Sequence, residues 1–177
     1  MIVRGSINDS FANFGENKKN IHLVLGLIKG KRMDLAIEKS VEFGVKSIHP
    51  VLFERSIKKT LNFGRLSKVI TSSAKQTGRS IFPELKKILR FPDWIKKYEN
   101  NNAFACHFSG KSKIKNIVNL KTDDITIIVG PEGDFSASEI ALLNASKVPL
   151  VNLGPRRLRT ESACISSILT TSDVIEG

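Results

Sequence analysis

The chain has 177 residues, of which 41% are hydrophobic and 25% charged, the profile of one ordinary globular domain long enough to bury a core without staples. Its two cysteines, Cys106 and Cys164, lie far apart in no ligand-like pattern. That excludes a disulfide framework or zinc cluster and suits a reducing, cytoplasmic compartment. Lys and Arg number 28 against 17 Asp and Glu, a net charge of +11 that favours a polyanionic partner such as nucleic acid. Residues 61–120 carry 12 basic and 3 acidic groups, whereas residues 121–177 carry 5 and 8, so charge and chain position are coupled. No run approaches the ~20 apolar residues of a membrane helix, and MIVRGSINDS has no apolar signal core.

Along the chain, residues 1–20 show little periodicity and read as a mobile leader, or the remnant of a preceding domain. Ile21–Ile28 (IHLVLGLI) reads as a buried strand. Met33, Ala36, Ile37, Ser40 and Val41 recur at helical spacing up to a stop at Gly44. Lys46–Phe53 returns to strand. Leu66, Val69, Ile70, Ser73, Ala74 and Thr77 predict a second helix closed by Gly78. Projected at helical pitch, Arg65, Lys68, Ser72, Lys75, Gln76 and Arg79 share an arc of about 100° opposite that apolar stripe, with no acid among them. A short helix from Pro92 to Glu99, a strand at Ala103–Phe108 and a strand at Ile125–Val129 follow. Ser136 and Glu139 form a capping box for a helix from about Ala137 to Ser146. Pro149–Leu153 is the last strand, and a final helix begins near Thr160. Strands alternating with helices mean an α/β domain with a mostly parallel sheet over residues 21–177.

In such a sheet, ligands bind in the loops beyond the carboxyl ends of strands. Two loops stand out: Gly130-Pro-Glu-Gly-Asp-Phe135 after ITIIV, and Leu153-Gly-Pro-Arg-Arg-Leu-Arg-Thr-Glu-Ser162 after PLVNL. Neither matches a phosphate loop or a dinucleotide fingerprint. Glu132 reads equally as a ligand contact or a loop-ordering group, and Arg156, Arg157 and Arg159 as a solvated charge run or as site residues. Glu139 reads as a cap. His22, His49 and His107 read as packed, with His107 the most open to another role because it ends a strand on the ligand side. The thiols read as buried apolar groups.

GPEGDFSASE followed by LGPRRLRTESA resembles the two C-terminal motifs of the SPOUT methyltransferases, and among them the RsmE family, which methylates N3 of a uridine in 16S ribosomal RNA. KGKRMDLAIEKSVEFGVKSIHPVLFERS and SSAKQTGRSIFPEL match further stretches of that family. The resemblance covers residues 20–175 or so and implies a trefoil-knotted, SPOUT-type α/β fold, S-adenosylmethionine as cofactor, 16S rRNA of the small ribosomal subunit as substrate and a homodimer. It implies a cofactor seat on Val129, Gly130, Pro131, Glu132, Gly133, Leu153, Gly154, Leu158 and Thr160, with Arg159 catalytic. The basic helix face (Arg65, Lys68, Lys75, Gln76, Arg79), joined by Arg55 at the end of the matching second strand, is the expected RNA contact. No metal is expected. The family usually carries an N-terminal barrel-like RNA-binding domain, of which residues 1–20 would be the remnant. It also more often has glycine at the position of Asp134. The alternative reading is a non-catalytic RNA-binding knotted domain.

Overall fold

The computed structural model describes residues 5–98 and 102–177. Seven strands form one sheet: β1 (Asn20–Gly26), β2 (Val45–Leu52), β3 (Glu84–Leu85), β4 (Leu89–Arg90), β5 (Ala103–Cys106), β6 (Asp124–Val129) and β7 (Leu150–Val151). The order is β3-β2-β1-β6-β5-β7, with β4 also on β2, and every pairing is parallel. Helices α1 (Lys31–Glu42), α2 (Phe63–Gln76), α4 (Ile114–Ile117) and α6 (Thr160–Glu176) cover one face, while α3 (Phe91–Lys97) and α5 (Ala137–Ala145) cover the other. Alternate strand residues supply the two cores. Leu23, Leu25, Ile127 and Val129 meet Met33, Ile37, Leu66 and Ile168, while Val24, Val51 and Ile128 meet Phe91, Trp94 and Leu143. Two covered faces explain why these strands read as near-continuous apolar runs. No helix among the described residues is long and apolar enough to cross a membrane.

The chain path at β5–β7 decides the topology. Beyond β5 the chain crosses to the far side of β7, where Ser112 pairs in parallel with Val151, so β7 lies between β5 and this returning segment. Residues 152–159 then lead from inside that loop to α6, which packs against α1 and α4. This threading is the knotted crossover of the SPOUT-type fold. It needs backbones in direct contact: a Cβ on Gly110 would stand 2.5 Å from the Val151 carbonyl carbon. Likewise a Cβ on Gly26 would stand 2.4 Å from the Pro131 nitrogen, where the loop after β6 crosses the end of β1. Only glycine fits such approaches.

The domain begins earlier than residue 21. Glu16 accepts hydrogen bonds from Arg79 and from the Ile81 N–H, Asn17 donates to the carbonyls of Phe43 and Gly44, and Lys18 bonds Glu176. The Phe14 carbonyl also accepts the Ser80 N–H at 3.0 Å, so the expected leader is docked from Phe14 onward. Met1–Arg4, the rest of its start, and Glu99, the expected end of the third helix, lie outside the described residues. The expected strand Pro149–Leu153 is reduced to two residues, and β3, β4 and α4, each of two to four residues, are additions.

Candidate active site

The two glycine-bearing loops come together at the carboxyl ends of β6 and β7 around a cleft of about 340 Å³. Val129, Gly130, Pro131, Glu132, Leu153, Gly154, Leu158, Arg159 and Thr160 all line it. Gly133 does not. It faces away, its α-carbon against the Arg55 side chain, where an added Cβ would stand only 2.7 Å from that of Arg55, and its carbonyl accepts from the Arg55 guanidinium at 3.2 Å. Arg55 thus braces the 130–134 loop from behind, a local role that the RNA-contact reading did not include.

Local chemistry fixes both loops. The capping box is present: Ser136 Oγ accepts the Glu139 N–H and Glu139 accepts the Ser136 N–H. Glu139 also accepts the Glu54 N–H at 2.7 Å, so this buried carboxylate ties α5 to the segment after β2. On the other loop, Asn152 Oδ1 accepts the Gly154 N–H at 2.7 Å and its Nδ2 donates to the Phe108 carbonyl, locking the start of the arginine loop to the turn after β5. Gly154 has φ +142°, which an L side chain rarely adopts. Arg159 is the N-cap of α6, exposed, and forms no ion pair or hydrogen bond through its side chain among the described residues.

Sequence reasoning missed several walls of the cleft. Arg32, in the first turn of α1, reaches Glu132 at 3.5 Å, so Glu132 orders its loop while lining the cleft. His107, read as packed, stands at the cleft wall. Its Nδ1 takes the Ser109 N–H at 3.3 Å and contacts Ser109 Oγ at 2.7 Å, and its Nε2 lies 3.4 Å from Asp134 Oδ2. Asp134 also meets Arg157 at 3.3 Å and stands in the left-handed region, φ +62°. The position of His107 directly after a strand end, like that of Gly130, was the signal available in the sequence. The thiols are buried as read; burial pushes Cys106 up to about 12 and Cys164 well above its ordinary value.

Of the RNA-contact residues, Arg65, Lys68, Lys75 and Gln76 are exposed, with Arg65 paired to Asp34 at 2.8 Å. Arg79 is a correction. The helix ends at Gln76, and Arg79 turns inward, its guanidinium bonded to the carbonyls of Val41 and Val45 and to Glu16. The helical projection failed because it extended a 3.6-residue period past Gly78, where φ is +67°.

A profile of the RNA methyltransferase domain matches residues 15–172. The chain belongs to that family. The RsmE resemblance read from the motifs is borne out by curated relatives. Ribosomal RNA small subunit methyltransferase E of Rickettsia conorii is 32% identical over 154 residues, covering 85% of this chain and 63% of the relative. Its namesake in Aquifex aeolicus is 34% identical over 145 residues, 78% of this chain and 61% of that one. The chain thus spans under two-thirds of the length of these relatives. Among solved structures, ribosomal RNA small subunit methyltransferase E of Neisseria gonorrhoeae, bound to S-adenosyl methionine, superposes with a TM-score of 0.83 at 28% identity, over 90% of this chain and 68% of that one. A Legionella pneumophila protein in complex with the bound cofactor SAM gives 0.85 at 29% identity, over 89% and 67%.

Proposed function

We propose that this domain transfers a methyl group from S-adenosylmethionine to N3 of a uridine in small-subunit ribosomal RNA, and that it works as a homodimer. The observation that carries the reading is the cleft itself: two glycine-bearing loops at parallel strand ends, an apolar floor, and the Arg159 guanidinium, unpaired among the described residues, at the mouth. The residues suit the cofactor. Val129, Leu153 and Leu158 offer apolar surface to a purine, with loop N–H and C=O groups beside them. Glu132 supplies negative charge in a cleft that must take a sulfonium and an ammonium group. The volume lies in the range of small-molecule sites.

The bound cofactor supplies an activated methyl group, which leaves the protein to align and to stabilise charge. Uracil N3 carries a proton, so its loss puts negative charge on the ring and its carbonyl oxygens. Arg159 is charged at any working pH, and its planar donors can reach a carbonyl of an extruded base. Because that contact strengthens as charge develops, Arg159→Ala should cut methyl transfer about 10²–10³-fold while leaving cofactor affinity nearly unchanged. The assay is tritiated methyl transfer to small ribosomal subunits lacking the modification, with the product mapped to uracil N3. Full activity in Arg159→Ala removes that role. A wild-type chain that binds S-adenosylmethionine and RNA yet transfers nothing overturns the enzymatic reading in favour of a binding domain.

A further inference from the structure

Methylation at N3 requires an acceptor for the N3 proton, and no group has yet been given that part. From the geometry we infer that Asp134 is that acceptor, and that with His107 it reads the imide edge of the base. This inference rests on the methyltransferase reading above.

Uracil presents a row of acceptor, donor, acceptor: a carbonyl, N3–H and a second carbonyl. The cleft presents the complement. Ser109 holds the ring of His107 through Nδ1, which accepts the Ser109 N–H, so the neutral ring carries its proton on Nε2. That N–H lies 3.4 Å from Asp134 Oδ2, near enough to be oriented by the carboxylate and too long to be consumed by it. The ring of Phe135 backs the imidazole at 6.1 Å between centroids. Asp134 is fixed in turn, since its Oδ1 accepts the Phe135 N–H at 2.9 Å and Arg157 stands 3.3 Å from Oδ2. A donor and an acceptor thus lie side by side, as the 4-carbonyl and N3–H of uracil require, and Arg159 stands free for the 2-carbonyl. Cytosine reverses the pattern, with an acceptor at N3 and a donor at its exocyclic amine, and would face both groups with like partners.

The charges balance. The N3 proton passes to Asp134 Oδ2, and the N3 electron pair forms the bond to the methyl carbon. The carbon–sulfur bond breaks with its electrons retained by sulfur. One carboxylate and one sulfonium are neutralised together. This offsets the weak basicity of a carboxylate, because two opposite charges vanish in one event. His107 and Arg157, which stand beside Asp134 Oδ2 in the resting site, are then free to turn their donors to the base. Glu132, Arg32 and Arg156 are the other charged groups on the cleft walls, and none of them contacts His107 or Asp134.

The test is single-turnover methyl transfer against pH for the wild type, Asp134→Asn and His107→Ala, with cofactor affinity by calorimetry alongside. Asn tolerates the left-handed backbone at 134, so that variant keeps the loop. The expected result is cofactor affinity at the wild-type level in both variants. Asp134→Asn should lose about 10²–10⁴ in rate at neutral pH and recover in alkaline solution, where uracil ionises unaided. The wild type should show an acidic limb, from protonation of a carboxylate, that Asp134→Asn lacks. His107→Ala should lose about 10-fold or more and accept cytidine at the target position better relative to uridine. Asp134→Asn with the wild-type rate and limb, on an enzyme that does methylate uracil N3, overturns the assignment alone. A wild type inactive at every pH overturns the methyltransferase reading and this inference with it. Should Asp134→Asn lose cofactor affinity, Asp134→Gly, the residue more usual in the family at this place, gives the same comparison, and an unaltered rate there also overturns it.

Discussion

At the scale of single residues, burial changes what a charged or titratable group is for. Arg79 illustrates this most sharply: its side chain is 1% exposed and its donors are spent on two carbonyls and Glu16. Removing one partner of a buried pair strands the other, so Arg79→Ala should cost about 3–5 kcal/mol in urea unfolding. The same change should leave the salt dependence of RNA binding untouched, because the guanidinium meets no solvent. His49 is a second case. The Trp94 indole N–H donates to His49 Nδ1, so His49 Nε2–H donates to Ser47. The Ser47 hydroxyl is then directed to His22 Nδ1, and His22 Nε2–H to Asp124. Burial, reinforced by His22 and Lys86, lowers the His49 pKa from 6.5 to about 4. Between those values the unfolded chain takes up a proton that the folded chain refuses, so stability falls as pH drops through this window. The loss approaches about 3 kcal/mol by its lower end. Urea midpoints measured from pH 7 to pH 4.5 should fall in the wild type. The decline should be shallower in His49→Gln, which can still accept from Trp94 and donate to Ser47 without titrating.

At the scale of elements, α2 separates structural cations from solvent-facing ones. Leu66, Ile70, Ser73 and Ala74 are buried, and Lys68 and Lys75 project from the opposite side. If these lysines meet RNA phosphates, Lys68→Gln with Lys75→Gln should lower the slope of log affinity against log salt by roughly 1.4 on single-stranded RNA. Weaker binding with an unchanged slope would assign them to folding instead. The longer elements were legible from one-dimensional signals. Period-3.6 stripes marked α1 and α2, glycines at positive φ closed both, and the capping box located α5 within a residue. The two-residue strands β3, β4 and β7 and the single turn of α4 were not, or only roughly. Elements that short have no period of their own and exist because neighbouring backbone supplies their hydrogen bonds.

At the scale of the whole molecule, the homodimer proposed above would need apolar surface beside the cleft. On the last helix, Cys164 and Ile168 are fully buried in this chain's own core and offer nothing to a partner. Phe108 at 52% and Leu158 at 39% exposure remain at the cleft rim, with Leu169 farther along α6. Apolar side chains grouped beside a binding cleft are what a partner subunit would cover. Light scattering at micromolar concentration and moderate salt should give twice the chain mass of 19.6 kDa, and a mass near 20 kDa would remove the dimer.

Composition, periodicity and turn chemistry by themselves determined the α/β class, the parallel sheet, most element boundaries and the two ligand loops. Those properties depend on residues close together in sequence: an apolar run, a cap, a glycine after a strand. Tertiary structure alone decided that Arg79 is internal, that Gly133 and Arg55 brace the loop from behind, and that His107, Asp134, Arg157 and Arg32 share one cleft. It also decided that Gly26 and Gly110, ordinary in sequence, are where backbones touch. Each of these facts depends on which distant segments the fold brings together, and no local pattern of residues encodes a contact between chain positions tens of residues apart.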